Sequence, residues 1–425
     1  MDAVEPAEHI RRYRFGSGRR TAVGGLVGLL LTLCSVSPAP AEDRFADVGD
    51  IVRQEVAAGH VPGAVVLVGQ RGKIVYRAAF GSLALTPGIK PMQPDAIFDL
   101  ASLTKVIATT TAVMQLVEAR RIKLDQPIAR YWPAFGRDGK AGITVRQLLT
   151  HTSGLRPDLD LTHAWFGLDA ALDRVVAERP LNPAGSRFLY SDINFIVLGE
   201  LVRRVSGEPL ETYARRHIFR PLHMTDTGFR PPQAERDRIV PTDREEGTIR
   251  WGEVQDPTAY RMGGVAGHAG LFSTADDLAK FAKMLLGESP PGGVRILRAD
   301  TIAAMTRGEM LPGAVVRGLG WDIASPYAAG MDVAFGPHTF GHTGYTGTSV
   351  WIDPVRQSFL ILLTSRLHPD GRGDVRRLRA LVAQAVAVAT QPVGVTSVSI
   401  TQRATGAVQP NQLLVRGRAG SQVAR

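Results

Sequence analysis

A serine and a lysine stand three positions apart, at Ser102 and Lys105, in a chain that uses lysine sparingly. Of its 50 basic residues only seven are lysine, and an arginine keeps its proton in a protein, whereas a desolvated amine can lose one. In a helix, positions i and i+3 lie on one face with their side chains in reach. The uncharged stretch 106–117 predicts a buried helix, and burial lowers the pKa of an amine. The pair has the form of a nucleophile with an adjacent base, as covalent acyl transfer requires.

This spacing is common by chance, and an ordinary helix N-terminus with a surface lysine explains it equally well. Two further elements favour the catalytic interpretation. Tyr190-Ser191-Asp192 precedes the apolar stretch 193–198, which predicts a loop that enters a helix. His342-Thr343-Gly344 precedes the stretch 347–352, which predicts a strand.

Together these elements resemble the three motifs of the penicillin-recognising serine hydrolases, which are Ser-x-x-Lys, Tyr-x-Asn and Lys/His-Thr-Gly. The likeness is to class C β-lactamases, the related D-alanyl-D-alanine carboxypeptidases and β-lactamase-like esterases. The segments 144–155 and 263–278 also look like family segments, and Ser273 or Thr274 is placed to cap a following helix. The likeness covers most of residues 42–391.

The resemblance implies a role for each catalytic residue. Ser102 would attack a carbonyl and form an ester with the acyl part of the substrate, while Lys105 and Tyr190 share the proton that it loses. A free tyrosine has a pKa near ~10, and a nearby ammonium favours its phenolate. Tyr190 would then protonate the leaving group.

The third motif is implied to bind the substrate and the oxyanion. In the family the oxyanion donors are backbone N–H groups, which here would be those of Ser102 and Tyr345. Thr343 and Gly344 lead into this strand, and the missing side chain of Gly344 would let a substrate backbone approach closely.

Two residues depart from the family pattern. Asp192 stands where Asn is usual, so an amide donor is replaced by a carboxylate that accepts only. Close to Lys105, it would form an ion pair, keep the amine charged and shift proton transfer towards Tyr190. His342 stands where Lys is commoner, as in carboxypeptidase-type and esterase-type members. Because its unperturbed pKa is near ~6.5, we expect protonated His342 to bind substrate carboxylates on the acid side of neutrality.

Other chemistries have little support in the sequence. His-Glu-x-x-His does not occur, and His338 and His342 fall in a predicted loop and strand, so we expect neither a zinc site nor a cofactor. We interpret His151 and His268 as structural, hydrogen-bonded residues at turns. The chain has no Gly-x-Ser-x-Gly elbow, Walker loop or Gly-x-Gly-x-x-Gly at a helix start, which argues against an α/β-hydrolase and a nucleotide-binding protein.

The N-terminal residues 1–41 have the plan of a signal peptide, with five arginines, an apolar run over 22–36 and a small-residue segment ending at Ala41. Fifteen apolar positions are short for a membrane span. We therefore expect an exported protein, periplasmic or secreted in a bacterial envelope, with no stable membrane span after cleavage. The single cysteine, Cys34, lies in this run, so the mature protein would contain no disulfide.

The formal net charge of +10 belongs largely to the chain ends. Residues 1–41 contribute +2 and residues 392–425 contribute +4, which leaves +4 for the body of the protein. This balance gives no case for nucleic-acid binding. The expected partner is a small-molecule or peptidoglycan-peptide substrate, and the sequence leaves the oligomeric state open.

Strand patterns near both ends of the chain and helical patterns between them predict an α+β fold. Hairpins are predicted over 63–79 and 349–363, and an amphipathic helix over 374–390. We expect an antiparallel sheet flanked by helices, as in the β-lactamase/transpeptidase fold, with an inserted, mostly helical lobe over about 125–245 and the nucleophile in the cleft between them. The tail 392–425 has the composition of a disordered segment.

The leading hypothesis is an exported serine hydrolase that forms an acyl-enzyme on Ser102 and acts as a D-alanyl-D-alanine carboxypeptidase. A carboxylesterase or a β-lactamase remains the alternative, because the same acylation serves all three activities. A catalytically silent binding or scaffold protein on this fold is a further alternative.

Overall fold

The computed structural model of the chain describes residues 44–245, 247–288, 295–328, 334–336 and 338–391. The predicted signal peptide and the predicted disordered tail lie outside these residues. The described strands are β1 Gly63–Gln70, β2 Lys73–Ala84, β3 Lys90–Pro91, β4 Phe98–Asp99, β5 Gly228–Phe229, β6 Arg244–Glu245, β7 Thr248–Ile249, β8 Leu271–Ser273, β9 Glu309–Leu311, β10 Val315–Arg317, β11 Asp322–Ala324, β12 Phe340–Thr343, β13 Ser349–Asp353 and β14 Ser358–Thr364.

Nine of the described strands form one antiparallel sheet, in the order β3-β2-β1-β14-β13-β12-β11-β10-β9. The early strands β1 to β3 and the late strands β9 to β14 therefore meet, with β1 paired to β14 in the middle. A smaller sheet of order β4-β8-β5 lies at the nucleophile segment, and β6 pairs with β7.

The centre of the large sheet is buried on both faces, which explains its almost continuous apolar sequence. Along β14, Ile361 and Leu363 pack into one hydrophobic cluster, while Leu360 and Leu362 pack into another on the opposite face. This alternation follows from the two-residue period of a strand. The sheet is thus the wall against which helices pack from both sides.

The described α-helices are α1 Ala46–Ala57, α2 Thr111–Glu118, α3 Val145–Leu149, α4 Leu168–Ala177, α5 Asp192–Ser206, α6 Leu210–Ala214, α7 Pro257–Arg261, α8 Ala275–Leu285, α9 Ala299–Thr306 and α10 Arg376–Ala389. Wider π-helical turns at Lys105–Thr110 and Arg215–Phe219 adjoin α2 and α6, and short 3-10 turns occupy Ile128–Arg130, Pro133–Gly136 and Gln233–Glu235. No helix in the described part of the chain has both the length and the apolar character that a membrane span needs.

The predicted α+β fold with an antiparallel sheet is confirmed. Both predicted hairpins are present; β2 has 12 residues and extends well beyond its predicted end at Ala79, and the other three strands are slightly longer than predicted. The predicted helix cap is Thr274, whose side chain accepts from Asp277, and the side chain of Thr144 caps another helix by accepting from Gln147. The region 125–245 holds α3 to α6, and its boundary as a separate lobe remains a prediction.

Candidate active site

The segment before Ser102 is held in an unusual backbone conformation. Ala101 has a φ of +47°, in the left-handed region that non-glycine residues rarely adopt. The buried carboxylate of Asp99 accepts the backbone N–H groups of Ala101, at 2.8 Å, and Gln255, at 2.7 Å. Burial raises the pKa of Asp99 to about 7, although these two bonds act in the opposite direction. Asp99 therefore supports the tight turn that presents Ser102.

Lys105 is fully buried and contacts three groups. Its Nζ donates to Ser102 Oγ at 2.9 Å and to the His268 carbonyl at 3.1 Å, and it lies 2.6 Å from Asp192 Oδ1. The residue begins a π-helical turn, a feature that often occurs at functional sites. The ion pair that the sequence predicted between Lys105 and Asp192 is thus present.

The charge of Lys105 follows from these contacts. Burial alone would lower the pKa of Lys105, but the Asp192 carboxylate and the Tyr190 phenol outweigh burial and raise it above the ordinary value of a lysine. The amine is therefore protonated in the resting protein. Its Nζ lies 5.0 Å from the centre of the Tyr190 ring, within the range of a cation–π contact.

Tyr190 lies on the loop that enters α5, as predicted, and its ring is supported by His151. The two rings stack with their centres 4.3 Å apart. The Nδ1 of His151 accepts the backbone N–H of Ser191 at 3.0 Å, so this histidine fixes the loop as well as the ring. Burial, followed by the charges of Arg317 and Lys105, lowers the pKa of His151 well below 6.5. His151 is hydrogen-bonded as predicted, and its structural role stays a prediction.

His342 and Thr343 lie within strand β12, and strand β13 follows the motif as predicted. The His342 ring is buried, and its Nδ1 lies 2.8 Å from the Thr343 carbonyl. Burial lowers the pKa of His342 well below 6.5, and the charges of Arg317, Lys105 and Arg379 act in the same direction. Burial and these three cations oppose protonation of His342, and binding of a substrate carboxylate by protonated His342 on the acid side of neutrality stays a prediction.

Gly344 is required by the protein's own backbone. A Cβ at this position would lie 2.5 Å from the Leu100 carbonyl oxygen and would also overlap the Thr348 hydroxyl. The turn 344–348 is fastened to the nucleophile segment, since Thr346 Oγ1 donates to the Asp99 carbonyl at 2.7 Å and Thr348 Oγ1 to the Leu100 carbonyl at 3.1 Å. This internal contact gives a second reason for glycine at position 344, and close approach of a substrate there stays a prediction.

A cavity of about 470 Å³ opens beside Ser102. Six predicted site residues line it, namely Ser102, Tyr190, His342, Thr343, Gly344 and Tyr345. Lys105 and Asp192 are not part of the lining; they contact each other behind the nucleophile. The structure places Asp192 beside Lys105, and its contact with substrate stays a prediction.

The comparison with known proteins identifies the family. A family model described as Beta-lactamase matches residues 48–385. The chain belongs to the beta-lactamase family. It is 32% identical over 395 residues to a protein of Escherichia coli O157:H7 named "Putative D-alanyl-D-alanine carboxypeptidase", covering 80% of this chain and 90% of that protein.

Solved structures agree with this assignment. A penicillin-binding protein homologue from Caulobacter crescentus has a TM-score of 0.66 and 26% identity, over 81% of this chain and 98% of its own. A class C β-lactamase has a TM-score of 0.68 and 18% identity, over 81% of this chain and 96% of its own, a likeness of fold. This beta-lactamase family member is a serine hydrolase of the β-lactamase fold.

Several cavity residues of this beta-lactamase family member were not anticipated from its sequence. They are Arg317, Tyr327, Arg366, Gly373, Asp374, Val375, Arg376 and Arg379. Arg317 had a detectable signal, because it is a charged residue within the otherwise apolar stretch 315–321. The cavity residues on α10 had no such signal in the sequence, because an amphipathic helix with basic residues is ordinarily a surface helix.

A second pair of ionisable groups lies behind Lys105. His268 is buried, its carbonyl accepts from Lys105, and its Nε2 lies 2.9 Å from Asp256 Oδ1. Within the described residues, Asp192, Asp256 and His268 form the one group whose ligand atoms could hold a metal, at mutual distances within 4.8 Å. The Lys105 ammonium already supplies a cation to Asp192 in this group, so the cluster is best explained as the surroundings of the lysine.

Proposed function

We propose that this protein is an exported serine hydrolase that forms an acyl-enzyme on Ser102 and acts as a D-alanyl-D-alanine carboxypeptidase. Its relative from Escherichia coli O157:H7 is named "Putative D-alanyl-D-alanine carboxypeptidase", and the family match over residues 48–385 includes all three motifs. Export is supported by the basic, apolar and small-residue plan of residues 1–41.

The contacts around Ser102 support a defined acylation step. Ser102 Oγ attacks the carbonyl carbon while its proton passes to the Tyr190 phenolate, which the charged Lys105 stabilises. The C–N bond to the terminal residue then breaks, and Tyr190 gives the proton to the departing amine. Water hydrolyses the resulting ester and frees Ser102. The negative oxygen of each tetrahedral intermediate would be bound by the backbone N–H groups of Ser102 and Tyr345.

The observation that carries the carboxypeptidase proposal is the buried guanidinium of Arg317 on the cavity wall. Its Nη2 donates to the Gly320 carbonyl at 3.1 Å, and its Nη1 lies 3.5 Å from Asp322 Oδ2. Its Nε and Nη1 N–H groups have no hydrogen-bond partner among the described residues. Because Arg317 is fully buried beside Asp322, it would attract a substrate that ends in a free carboxylate through its positive charge at the cavity wall.

A carboxylesterase is the second candidate, and the neutral state of His342 is the observation that favours it. A family member with lysine at this position offers a permanent cation, whereas the buried His342 offers none at neutral pH. The binding of a neutral ester would therefore not be weakened by the lack of a cation at this wall of the cavity. A β-lactamase would share the acylation step and differ in the rate of deacylation.

Intact-mass measurement separates these activities. The protein would be exposed in turn to a peptide ending in D-alanyl-D-alanine, a fluorescent penicillin and a short aryl ester, and followed over time. We expect release of D-alanine and a persistent penicilloyl adduct that is absent in Ser102→Ala. Rapid loss of the penicilloyl adduct would indicate a β-lactamase, and ester turnover without D-alanine release would indicate an esterase. Absence of any adduct or turnover would indicate a silent binding protein.

A further inference from the structure

The turn 344–348 contains Tyr345, whose backbone N–H is the proposed hydrogen-bond donor to the oxyanion. The conformation of this turn therefore matters for the proposed catalysis. It joins β12 to β13 and is closed by a bond from Gly344 N–H to the Thr348 carbonyl at 2.7 Å. The hydroxyl groups of Thr346 and Thr348 fasten one side of the turn to the segment before Ser102. The side chain of Tyr345 itself is 62% exposed, so packing of that ring does little to hold the turn.

The opposite side of the turn is held by one side chain of α10. The Nη2 of Arg379 donates to the Gly344 carbonyl at 2.9 Å and to the Thr348 carbonyl at 2.8 Å. These are the two residues whose backbone bond closes the turn. One guanidinium nitrogen thereby bridges both ends of the turn, and the turn lies between Arg379 and the nucleophile segment.

Arg379 is a buried charged residue, so its contact with the turn must compensate the cost of burying its charge. The residue is only 7% exposed, and within the described residues it forms no ion pair with a carboxylate. Burial, together with the charge of Arg366, lowers the pKa of Arg379 to about 9, which leaves it charged at neutral pH. A buried charge without a carboxylate partner is costly, and here two backbone carbonyls provide the compensation.

We propose that Arg379 is a positioning residue, which fixes the turn 344–348 so that the Tyr345 N–H points at the oxyanion formed on Ser102. The inference rests on the proposed acylation of Ser102, but it does not depend on peptide specificity. Without Arg379 the carbonyls of Gly344 and Thr348 lose a shared donor, and the turn keeps only its threonine side. A small displacement of a hydrogen-bond donor from the developing negative charge lowers the reaction rate strongly.

The test compares Arg379→Ala with Arg377→Ala, an equivalent substitution on the same helix. Arg377 is exposed, lies outside the cavity lining and pairs with Glu55 at 3.0 Å. The constants kcat and KM would be measured for a neutral aryl ester and for a peptide ending in D-alanyl-D-alanine, with methylguanidine added as a rescuing cation. For Arg379→Ala we expect kcat on the ester to fall about tenfold or more, KM to change little, and methylguanidine to restore part of kcat.

Three results would overturn the proposal. The first is a kcat for Arg379→Ala equal to that of Arg377→Ala. The second is a loss confined to KM for the peptide, which would make Arg379 a ligand of the substrate carboxylate. The third is a folded Arg379→Ala variant that methylguanidine leaves unchanged.

Two controls keep the test decisive. If circular dichroism shows that Arg379→Ala is unfolded, Arg379→Lys takes its place. The lysine variant keeps the charge but lacks the planar fork, so a kcat equal to wild type would contradict the proposal. If the ester turns over and the peptide does not, the carboxypeptidase proposal fails while the ester assay still tests Arg379. If neither substrate acylates Ser102, the proposed function itself fails.

Discussion

Lys105 Nζ lies 2.6 Å from Asp192 Oδ1 while it donates to Ser102 Oγ at 2.9 Å, so one buried ammonium joins the nucleophile to a carboxylate. The family usually has asparagine at the position of Asp192. The carboxylate changes the chemistry of the lysine, because it stabilises the protonated form that cannot accept a proton from Ser102. We therefore expect proton transfer to depend on Tyr190 more than the motif alone suggests.

Asp192→Asn should lower the pKa of Lys105, since the carboxylate is the main group that raises it. A lysine that deprotonates more readily can share the role of base, so we expect acylation of Ser102 to extend to lower pH than in the native protein. The measurement is the rate of penicilloyl-adduct formation across the pH range, followed by intact mass. Superimposable profiles for the two proteins would show that the ion pair does not govern acylation.

Tyr190→Phe should remove most acylation, because it deletes the proposed proton acceptor while keeping the ring that stacks on His151. General acid–base groups typically contribute about 10²- to 10⁴-fold, and a loss in this range is expected in kcat/KM for the aryl ester. Tyr213→Phe, a buried tyrosine outside the cavity lining, is the matched control. A Tyr190→Phe variant as active as that control would transfer the role of base to Lys105.

His342 should make the fold less stable as the pH falls. Its folded pKa is depressed, so its contribution to stability is complete above the unfolded value of ~6.5 and is lost as protons bind the unfolded chain below that value. The free energy of unfolding should fall by about 1.4 kcal/mol per pH unit for each such histidine. Urea unfolding at pH 7 and pH 5 should give a shallower dependence for His342→Gln, but not for the exposed His163→Gln. Equal slopes in His342→Gln and native protein would refute the buried, neutral state.

Arg317→Gln should separate peptide from ester turnover. The substitution removes the cation on the cavity wall and retains an amide donor, so binding of a substrate carboxylate should weaken while a neutral ester is little affected. We expect kcat/KM for a peptide ending in D-alanyl-D-alanine to fall about tenfold or more relative to that for the aryl ester. Because Arg317 is buried, retained ester turnover also reports that the variant is folded. An equal fall in kcat/KM for both substrates would contradict the role of Arg317 in binding the substrate carboxylate.

Much of the fold followed from local pattern. The hairpin of β1 and β2, the hairpin of β13 and β14 and the capped starts of α3 and α8 are encoded by short stretches in which apolar periodicity and turn residues agree. The family motifs likewise predicted that Ser102, Lys105 and Tyr190 belong together. The Lys105–Asp192 ion pair was predicted because residue type alone gives the sign of each charge.

The sequence by itself therefore determined the α+β architecture, the candidate catalytic residue types and the ion pair of Lys105 with Asp192. Tertiary structure decided the rest, because burial and long-range contacts set the charge state and surroundings of each group. It made His342 neutral by placing it near Arg317, Lys105 and Arg379, which are distant from one another in the chain. It also explained why position 344 is a glycine, because a side chain there would overlap the Leu100 carbonyl. These residues are 244 positions apart, so no local pattern could indicate their contact.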